Sequence, residues 1–281
     1  PWRWESIIRK ASGVIHVWES GSGRSMKRKM QHRKDFLEIF QKLCYGRSSW
    51  EVWNDFLFCS AVSISNVFPT KERESREKEY HDRLSRYRRE EMGKLAELLG
   101  CIVISLEQNP EQDFLGELYH ELRLEQVQKG QFFTPYHISR MMAEIQLVGG
   151  TAEAEIRRKG YMSVSDPACG AGAMLIAFAN AARSRKINYQ SQVLFVAQDI
   201  DRTAVLMCYL QLSLLGCPAV VIQGDSLAKP GLQEENEIWY TPFFHLNQWR
   251  FRDVGQRIDT GQRSFSQESD GQMALHWDDA A

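Results

Sequence analysis

The sequence predicts an α/β protein in which a short parallel sheet follows a helical amino-terminal domain. Three observations carry this prediction. Strand-like and helix-like segments alternate from residue 161 to residue 222, helical periodicity dominates the first 110 residues, and the composition is that of an ordinary globular protein. The 281 residues include 43% hydrophobic and 25% charged side chains, which excludes collagen-like, low-complexity and wholly disordered chains. The net charge of −1 means that any DNA contact must come from local basic patches rather than from bulk charge.

The amino-terminal part shows helical spacing of its apolar residues. Residues 35–66 carry apolar side chains three and four apart on both sides of a break at Gly46, which predicts two packed helices. Residues 70–94 hold nine basic and seven acidic side chains, with opposite charges often three or four apart, which favours a solvent-facing helix over a DNA-binding one. We expect a helical domain over residues 35–108. Before it, residues 1–34 form a poorly ordered basic segment that fits a solvated helix entry better than a phosphate-contacting arm.

Strand-like and helix-like segments alternate in the middle of the chain. Apolar strand-like segments end near residues 165, 197 and 222, and helix-like segments lie between them. This order is typical of a parallel sheet with crossover helices. We expect this α/β domain to span residues 109–254, and a mobile tail rich in Gln, Ser and Asp to follow over residues 255–281.

One uncharged run has the length of a membrane span. Residues 203–223 contain no charged side chain over 21 positions. Gln211 and Ser213 interrupt the run, and Gly216-Cys217-Pro218 would end a helix in its middle, so we interpret it as a buried helix, a turn and a buried strand. The six cysteines show no CxxC and no His/Cys metal spacing. We therefore expect a soluble, cytoplasmic protein with reduced thiols, no membrane contact and no metal.

Glycines and acidic residues follow the predicted strands. The segment Asp166-Pro-Ala-Cys-Gly-Ala-Gly172 follows the first strand, Asp199 ends the second and Asp225 follows the third. Glycines permit a sharp turn close to a ligand, the next helix offers free N–H groups, and an acid at the second strand end can hold both hydroxyls of a ribose. Taken singly, each feature is explained by a tight turn, a helix cap or a packed Cys169. Because parallel strands end at one edge of a sheet, their joint order favours a nucleoside pocket.

The glycine segment resembles the S-adenosylmethionine-binding motif of N6-adenine DNA methyltransferases, in which Asp-Pro-x-Cys-Gly-x-Gly is distinctive. The resemblance is nearest to modification subunits of type I restriction–modification systems and covers about residues 110–245. It implies a Rossmann-like, S-adenosylmethionine-dependent sheet that transfers a methyl group to adenine N6 in DNA. It also implies DNA contact through partner subunits, namely a specificity or modification subunit. Besides the glycine segment, the matching motifs are Asp113-Phe-Leu-Gly-Glu-Leu-Tyr119, Gly130-Gln-Phe-Phe-Thr-Pro135, Gln198-Asp-Ile-Asp201 and Gly224-Asp-Ser-Leu227.

The same resemblance implies three groups of cofactor-binding residues. The first group would close over the methionine end of the cofactor, and the second would hold its amino and carboxylate groups. In the third group, Asp199 would take the ribose hydroxyls, Ile200 would lie against the adenine, and Asp225 would accept from the adenine amino group. The groups are, in this order, Phe133, Thr134 and Pro135; Asp166, Gly170 and Gly172; and Asp199, Ile200 and Asp225.

The chain departs from the family pattern at the catalytic motif. In the family, the fourth strand ends in Asn-Pro-Pro-Phe/Tyr, and the Asn oxygen accepts a hydrogen bond from the amino group of the flipped adenine. The best match here places Tyr240 at the Asn position, with Pro242 and Phe243 after it. A phenol lacks the geometry of the amide acceptor, although Phe243 could still stack on a flipped base. We expect the stretch from Tyr240 to Phe243 to face the base.

Length is the second departure, since only 38 residues follow Phe243 and a complete methyltransferase sheet would not fit. We therefore expect a truncated sheet. The alternative hypothesis is a catalytically degenerate methyltransferase that acts as a cofactor-binding or protein-interaction module in restriction–modification or anti-restriction. On that hypothesis, Tyr240→Asn alone would not restore methylation. Methylation of RNA or protein is a weaker third hypothesis.

Overall fold

The computed structural model of the chain describes residues 22–124, 134–247 and Trp249, and within residues 22–31 it describes the backbone alone. The expected mobile tail and residues 1–21 of the expected basic segment lie outside the described residues. The chain divides into two compact units after Pro110, and each is described by itself below.

The described part of the first unit is helical, as the apolar spacing predicts. A turn at Gly46 separates the first two helices. The first helix begins at Ser22, so residues 22–34, which we expected to be poorly ordered, belong to a helix. The helices are α1 (Ser22–Leu43), α2 (Ser49–Ser65), α3 (Arg73–Leu84) and α4 (Arg89–Gln108).

Aromatic side chains fill the space between α1 and α2. Phe36 and Phe40 of α1 are buried against Trp53 and Phe56 of α2. Their ring centroids lie 5.7–6.2 Å apart, and several pairs meet edge to face. Contacts of this kind add about 0.5–1.5 kcal/mol each to the stabilisation that comes from burial.

The charged run over residues 70–94 differs from the single solvent-facing helix that we expected. It is broken at residues 85–88, between α3 and α4. Arg76 is 3% exposed, and Arg83 donates a hydrogen bond of 2.8 Å to the buried carboxylate of Asp55. A buried carboxylate is costly without charged or polar partners, which is the physical reason that part of the run turns inward.

The described part of the second unit combines helices with an open four-stranded sheet. Strands and helices alternate along it, which confirms the predicted α/β class. The elements are α5 (Phe114–Glu121), α6 (Tyr136–Gln146), α7 (Thr151–Lys159), β1 (Met162–Asp166), α8 (Ala173–Ser184), α9 (Tyr189–Gln192), β2 (Val193–Asp199), α10 (Arg202–Leu214), β3 (Ala219–Gln223), β4 (Glu237–Tyr240) and α11 (Pro242–Leu246).

The sheet has the strand order β1-β2-β3-β4. The first three strands are parallel, with Asp166 beside Ala197, whereas β4 is antiparallel to β3, with Tyr240 beside Val220. The carboxyl ends of β1, β2 and β3 therefore share one edge, which we call the carboxyl-end rim. The antiparallel direction of β4 was not expected, and it makes β4 end at the opposite edge.

The uncharged run of residues 203–223 forms α10 and β3, which are separated by a turn at Gly216 with a φ of +72°. Both elements are buried, which confirms the interpretation as helix, turn and strand. Among the residues that the structure describes, no helix is long and apolar enough to cross a membrane.

Candidate cofactor site

A tight glycine turn connects β1 to α8. Gly170 and Gly172 have φ values of 53° and 94°, a region that glycine occupies at little cost. The Gly172 N–H donates to the Cys169 carbonyl at 2.8 Å, and the Cys169 N–H donates to the carbonyl of Gln198 on β2 at 3.0 Å. The turn is therefore closed on itself and anchored to the end of the neighbouring strand.

Asp199 joins this turn across the sheet. Its Oδ2 accepts a hydrogen bond from the Gly170 N–H at 2.9 Å, and its Oδ1 accepts one from the Asp201 N–H at 2.9 Å. A carboxylate oxygen can accept more than one hydrogen bond, so both oxygens keep capacity for a ligand. The structure thus brings Asp199 and the glycine turn together at the carboxyl-end rim.

Two half-buried carboxylates, Asp166 and Asp199, lie close enough for the charge of one to affect the other. Burial raises the pKa of Asp199, and burial together with the charge of Asp199 raises the pKa of Asp166. Among the described residues, no Lys or Arg forms an ion pair with either group. Backbone N–H groups stabilise the charges only in part, through Ala168 at Asp166 and through Gly170 at Asp199. The arrangement favours a ligand that carries positive charge and hydroxyl donors.

The end of β3 completes the carboxyl-end rim. The Gly224 N–H donates to the Asp199 carbonyl at 2.9 Å, which holds the end of β3 beside the end of β2. Asp225 is exposed, and its Oδ1 accepts from the Leu227 and Ala228 N–H groups at 2.9 and 3.2 Å. Ile200 is 68% exposed beside Asp199 and offers an apolar surface at the same edge.

The residues expected to close over the methionine end are described in part. Thr134 and Pro135 are exposed and lie directly before α6, whereas Phe133 lies outside the described residues. The amide of Asn180 on α8 donates to the Tyr136 hydroxyl at 3.1 Å. The start of α6 is thereby attached to the helix that begins at the glycine turn.

Tyr240, Pro242 and Phe243 lie at the other edge of the sheet. Because β4 is antiparallel, Tyr240 lies beside the second residue of β3, about 10 Å from the carboxyl-end rim at about 3.3 Å per residue. Pro242 begins α11, and Phe243 packs at the turn before β3, with its ring 3.2 Å from where a Cβ on Gly216 would lie. The structure does not bring these three residues together with the cofactor-binding residues, which corrects the expectation that this segment faces the base.

Gln198 and Cys169 also shape the site. The Gln198 side chain donates to the Lys229 carbonyl and accepts from the Gly231 N–H, both at 2.9 Å, and so fixes the loop after β3. A hydrogen bond with Cys208 and burial raise the pKa of Cys169, so that its thiol stays protonated and is a packing group. Sequence reasoning assigns no role to the Gln198 side chain, although a glutamine near the end of an apolar strand is a usable signal.

A glycine turn after the first strand of a parallel β-α-β unit, with an acid at the end of the next strand, is an arrangement that nucleotide-binding α/β proteins share. Among the described residues, no cluster of three or more His, Cys, Asp or Glu side chains is arranged to hold a metal ion. The family model described as N-6 DNA Methylase matches residues 111–268, more than half of the chain. The chain belongs to this family.

Two known proteins illustrate the similarity. The type II methyltransferase M.MamI of Microbacterium ammoniaphilum is 35% identical over 111 residues, which cover 37% of this chain and 30% of that protein. The chain thus spans about a third of the length of this relative. The crystal structure of the type I restriction–modification system methyltransferase subunit from Streptococcus thermophilus matches 71% of this chain and 41% of its own, with 18% identity and a TM-score of 0.35.

Proposed function

We propose that the second unit binds S-adenosylmethionine at the carboxyl-end rim and serves as the cofactor-binding part of a DNA methyltransferase acting on adenine N6. The observation that carries this proposal is the hydrogen bond of 2.9 Å from the Gly170 N–H to Asp199 Oδ2. It unites the glycine turn, the start of α8 and the acid of β2 in one place. Membership of the N-6 DNA Methylase family supports the reaction class.

The chemistry of the rim suits this cofactor. S-adenosylmethionine carries an ammonium and a sulfonium, and the carboxylates of Asp166 and Asp199, which have no cationic partner among the described residues, favour positive charge. Its ribose hydroxyls can donate to Asp199, and its carboxylate suits the positive end of the dipole of α8, a 12-residue helix. Ile200 offers apolar contact for the adenine ring. When bound, the cofactor supplies an electrophilic methyl group.

We further propose that the acceptor for the adenine amino group comes from outside the described residues. Tyr240 lies at the opposite edge of the sheet. The Asn236 amide is fixed in the loop after β3, because it donates to the Lys229 and Gly231 carbonyls at 2.9 and 2.8 Å and its Oδ1 packs against Gly224, where an added Cβ would lie 2.1 Å from it. Modification-type partner subunits would then complete the site and hold the DNA. We favour this interpretation over a degenerate module because the family match extends through the entire rim to residue 268.

A calorimetric titration with S-adenosylmethionine tests the proposal. We expect the wild type to bind and Asp199→Ala to bind at least tenfold more weakly, since hydrogen bonds to a charged group contribute about 1.5–3 kcal/mol. Asp201→Asn is the matched control. It removes a carboxylate two residues away but keeps a side-chain oxygen to cap α10, where Asp201 accepts from the Thr203 N–H at 2.7 Å. Its affinity should stay within about twofold of wild type.

Two results would contradict the proposal. If S-adenosylmethionine did not bind to the wild type, the glycine turn would have a structural role only. Equal loss of affinity in both variants would show that the general negative charge of the rim, rather than the Asp199 contacts, holds the ligand.

A further inference from the structure

A buried amide connects three segments of the second unit. Gln211 of α10 is completely buried, and its Nε2 donates to Asp113 Oδ1 at 2.7 Å and to the Ala171 carbonyl at 2.9 Å. Its Oε1 accepts a hydrogen bond from the Leu115 N–H at 3.1 Å. Both amide hydrogens and the amide oxygen are therefore in use, and they bind the start of α5 and the glycine turn to α10.

The contact with Ala171 falls at the centre of the glycine turn. Gly170 and Gly172 flank this residue, and both have the positive φ values that make a backbone segment permissive. The neighbouring N–H groups are fixed by Cys169 and Asp199. The bond from Gln211 fixes the direction of the Ala171–Gly172 peptide, whose N–H donates to the Cys169 carbonyl, and thus holds the closed conformation of the turn.

The other end of the connection is the N-cap of α5. Asp113 is 4% exposed, and its Oδ1 also accepts from the Gly116 N–H at 2.9 Å. An added Cβ on Gly116 would lie 2.1 Å from the Asp113 carboxylate, so the helix start and the acid fit closely. Burial raises the pKa of Asp113, while its hydrogen bond with Gln211 acts in the opposite direction.

We infer that Gln211 is a positioning residue for the cofactor site, which sets the conformation of the glycine turn through the Ala171 carbonyl. This inference rests on the proposed function. It assigns Gln211 no contact with the cofactor itself. It also predicts that the Ala171 bond affects cofactor affinity separately from the role of Gln211 in stabilising the fold.

A charge-preserving double variant isolates this bond. In Asp113→Asn/Gln211→Glu, the amide and the carboxylate exchange places, so that the new amide at the start of α5 can donate to the new carboxylate on α10 and its oxygen can still cap Gly116. The new carboxylate can still accept from the Leu115 N–H. The Ala171 carbonyl loses its donor and faces a carboxylate oxygen instead, so the two oxygens repel each other. Gln211→Met, which removes all three hydrogen bonds at similar volume, is the second variant.

The matched control is Thr241→Val. The Thr241 hydroxyl is fully buried at the opposite edge of the sheet, where it donates to the Cys217 carbonyl at 2.7 Å and accepts from the Ala219 N–H at 2.8 Å. This variant therefore also loses buried hydrogen bonds in the same unit but leaves the glycine turn untouched.

The measurements are thermal unfolding, S-adenosylmethionine affinity by calorimetry, and hydrogen exchange of the Gly172 amide in the full chain. We expect the double variant to unfold at a higher temperature than Gln211→Met, to bind at least tenfold more weakly than wild type, and to exchange faster at Gly172. We expect Gln211→Met to show the same loss of affinity together with a clearly lower unfolding temperature. We expect Thr241→Val to unfold at a lower temperature with unchanged affinity and unchanged exchange at Gly172.

Each outcome decides one statement. Wild-type affinity and wild-type exchange at Gly172 in the double variant would overturn the inference while leaving the proposed function intact. Weakened binding in Thr241→Val would also overturn it, because affinity would then follow stability. A wild type that does not bind would overturn the proposed function and the cofactor role of Gln211 together. In that case, the exchange rate at Gly172 would still decide whether Gln211 fixes the turn.

Discussion

Gly172 is constrained both by its backbone and by its neighbour. Its φ of +94° disfavours any L side chain, and an added Cβ would lie 2.9 Å from Cys208 Sγ on α10. Backbone conformation and packing therefore require glycine at this position whether or not a ligand binds. The same glycine closes the turn that we propose to bind the cofactor.

We predict that Gly172→Ala lowers the free energy of unfolding by at least about 1–2 kcal/mol, the cost of the backbone conformation, with a further contribution from the contact with Cys208. Adding Cys208→Ala should recover the second contribution but not the first. Urea unfolding of both single variants and the double variant measures the two parts.

Gly93→Ala on α4 is the control for this series. Nothing lies within 4 Å of a Cβ at Gly93, and the residue has no positive φ. In a helix interior, this substitution should stabilise by about 0.5–1 kcal/mol. A Gly172→Ala variant as stable as wild type would contradict the close approach of α8 and α10.

Prediction at the residue scale succeeds where sheet geometry is simple. Asp199 and Gly170 follow adjacent parallel strands, so their meeting at one edge is predictable. Gln211 is 98 positions from Asp113, and nothing in the local pattern of an uncharged helix indicates such a partner. The glutamine is visible in the middle of that run, but its contacts depend on how α5 packs against α10.

At the scale of elements, one ion pair joins the turns of the first unit. Arg47, in the turn between α1 and α2, donates to both carboxylate oxygens of Glu91 at 3.1 Å, and Glu91 also accepts from the Arg88 N–H at the start of α4. The Glu91 side chain is only 9% exposed. The hydrogen bonds from Arg47 and Arg88 lower the pKa of Glu91 from 4.5 to about 2.

The sign of the pH dependence follows from this shift. The folded-state pKa lies below the unfolded one, so the stabilisation is fully present above pH 4.5 and is lost as the pH falls towards 2. We predict that Glu91→Gln lowers the free energy of unfolding by about 1–3 kcal/mol at pH 7. The difference from wild type should shrink at pH 4, as measured by urea unfolding.

Glu90→Gln is the matched control, since Glu90 is exposed one residue away in the same helical turn. Its effect should be within about 0.5 kcal/mol at both pH values. A difference between Glu91→Gln and wild type that stays constant with pH would show that shape rather than charge accounts for the stabilisation.

The elements themselves are largely predictable, with two physical exceptions. Periodicity and breakers locate the strands β1 to β3 and the helices between them. The spacing of the charged run fits exposed ion pairs. Arg83 nevertheless turns inward and binds the buried Asp55, which lies 28 positions earlier in the sequence. The direction of β4 depends on a 13-residue connection from β3, and a four-residue strand carries too little pattern to fix it.

At the scale of the whole molecule, the chain consists of two compact units that divide after Pro110. The residues of the proposed cofactor site all come from the second unit, and the family match begins at residue 111. The first unit has its own aromatic core and its own charge network. We therefore expect the cofactor to stabilise the second unit, and the pH dependence that comes from Glu91 to arise in the first.

We predict that saturating S-adenosylmethionine slows hydrogen exchange in the second unit, most strongly in peptides that cover residues 166–173, 198–201 and 224–228. Exchange in α1 to α4 should not change, because ligand binding stabilises the unit that holds the ligand. Mass spectrometry of the full chain with and without the cofactor measures this. Protection that spreads evenly over both units would contradict the division.

The two outermost strands of the sheet differ in how they are paired. The outermost strands are β4, which pairs antiparallel with β3, and β1, which pairs with β2 alone among the described residues. A polypeptide that added itself there would come to lie about 4.8 Å from β1. Running in the same direction as β1, it would deliver its final residues next to Asp166 and the glycine turn. A parallel strand at the outer side of β1 would therefore end at the proposed cofactor site, whereas β4 ends at the opposite end of the sheet.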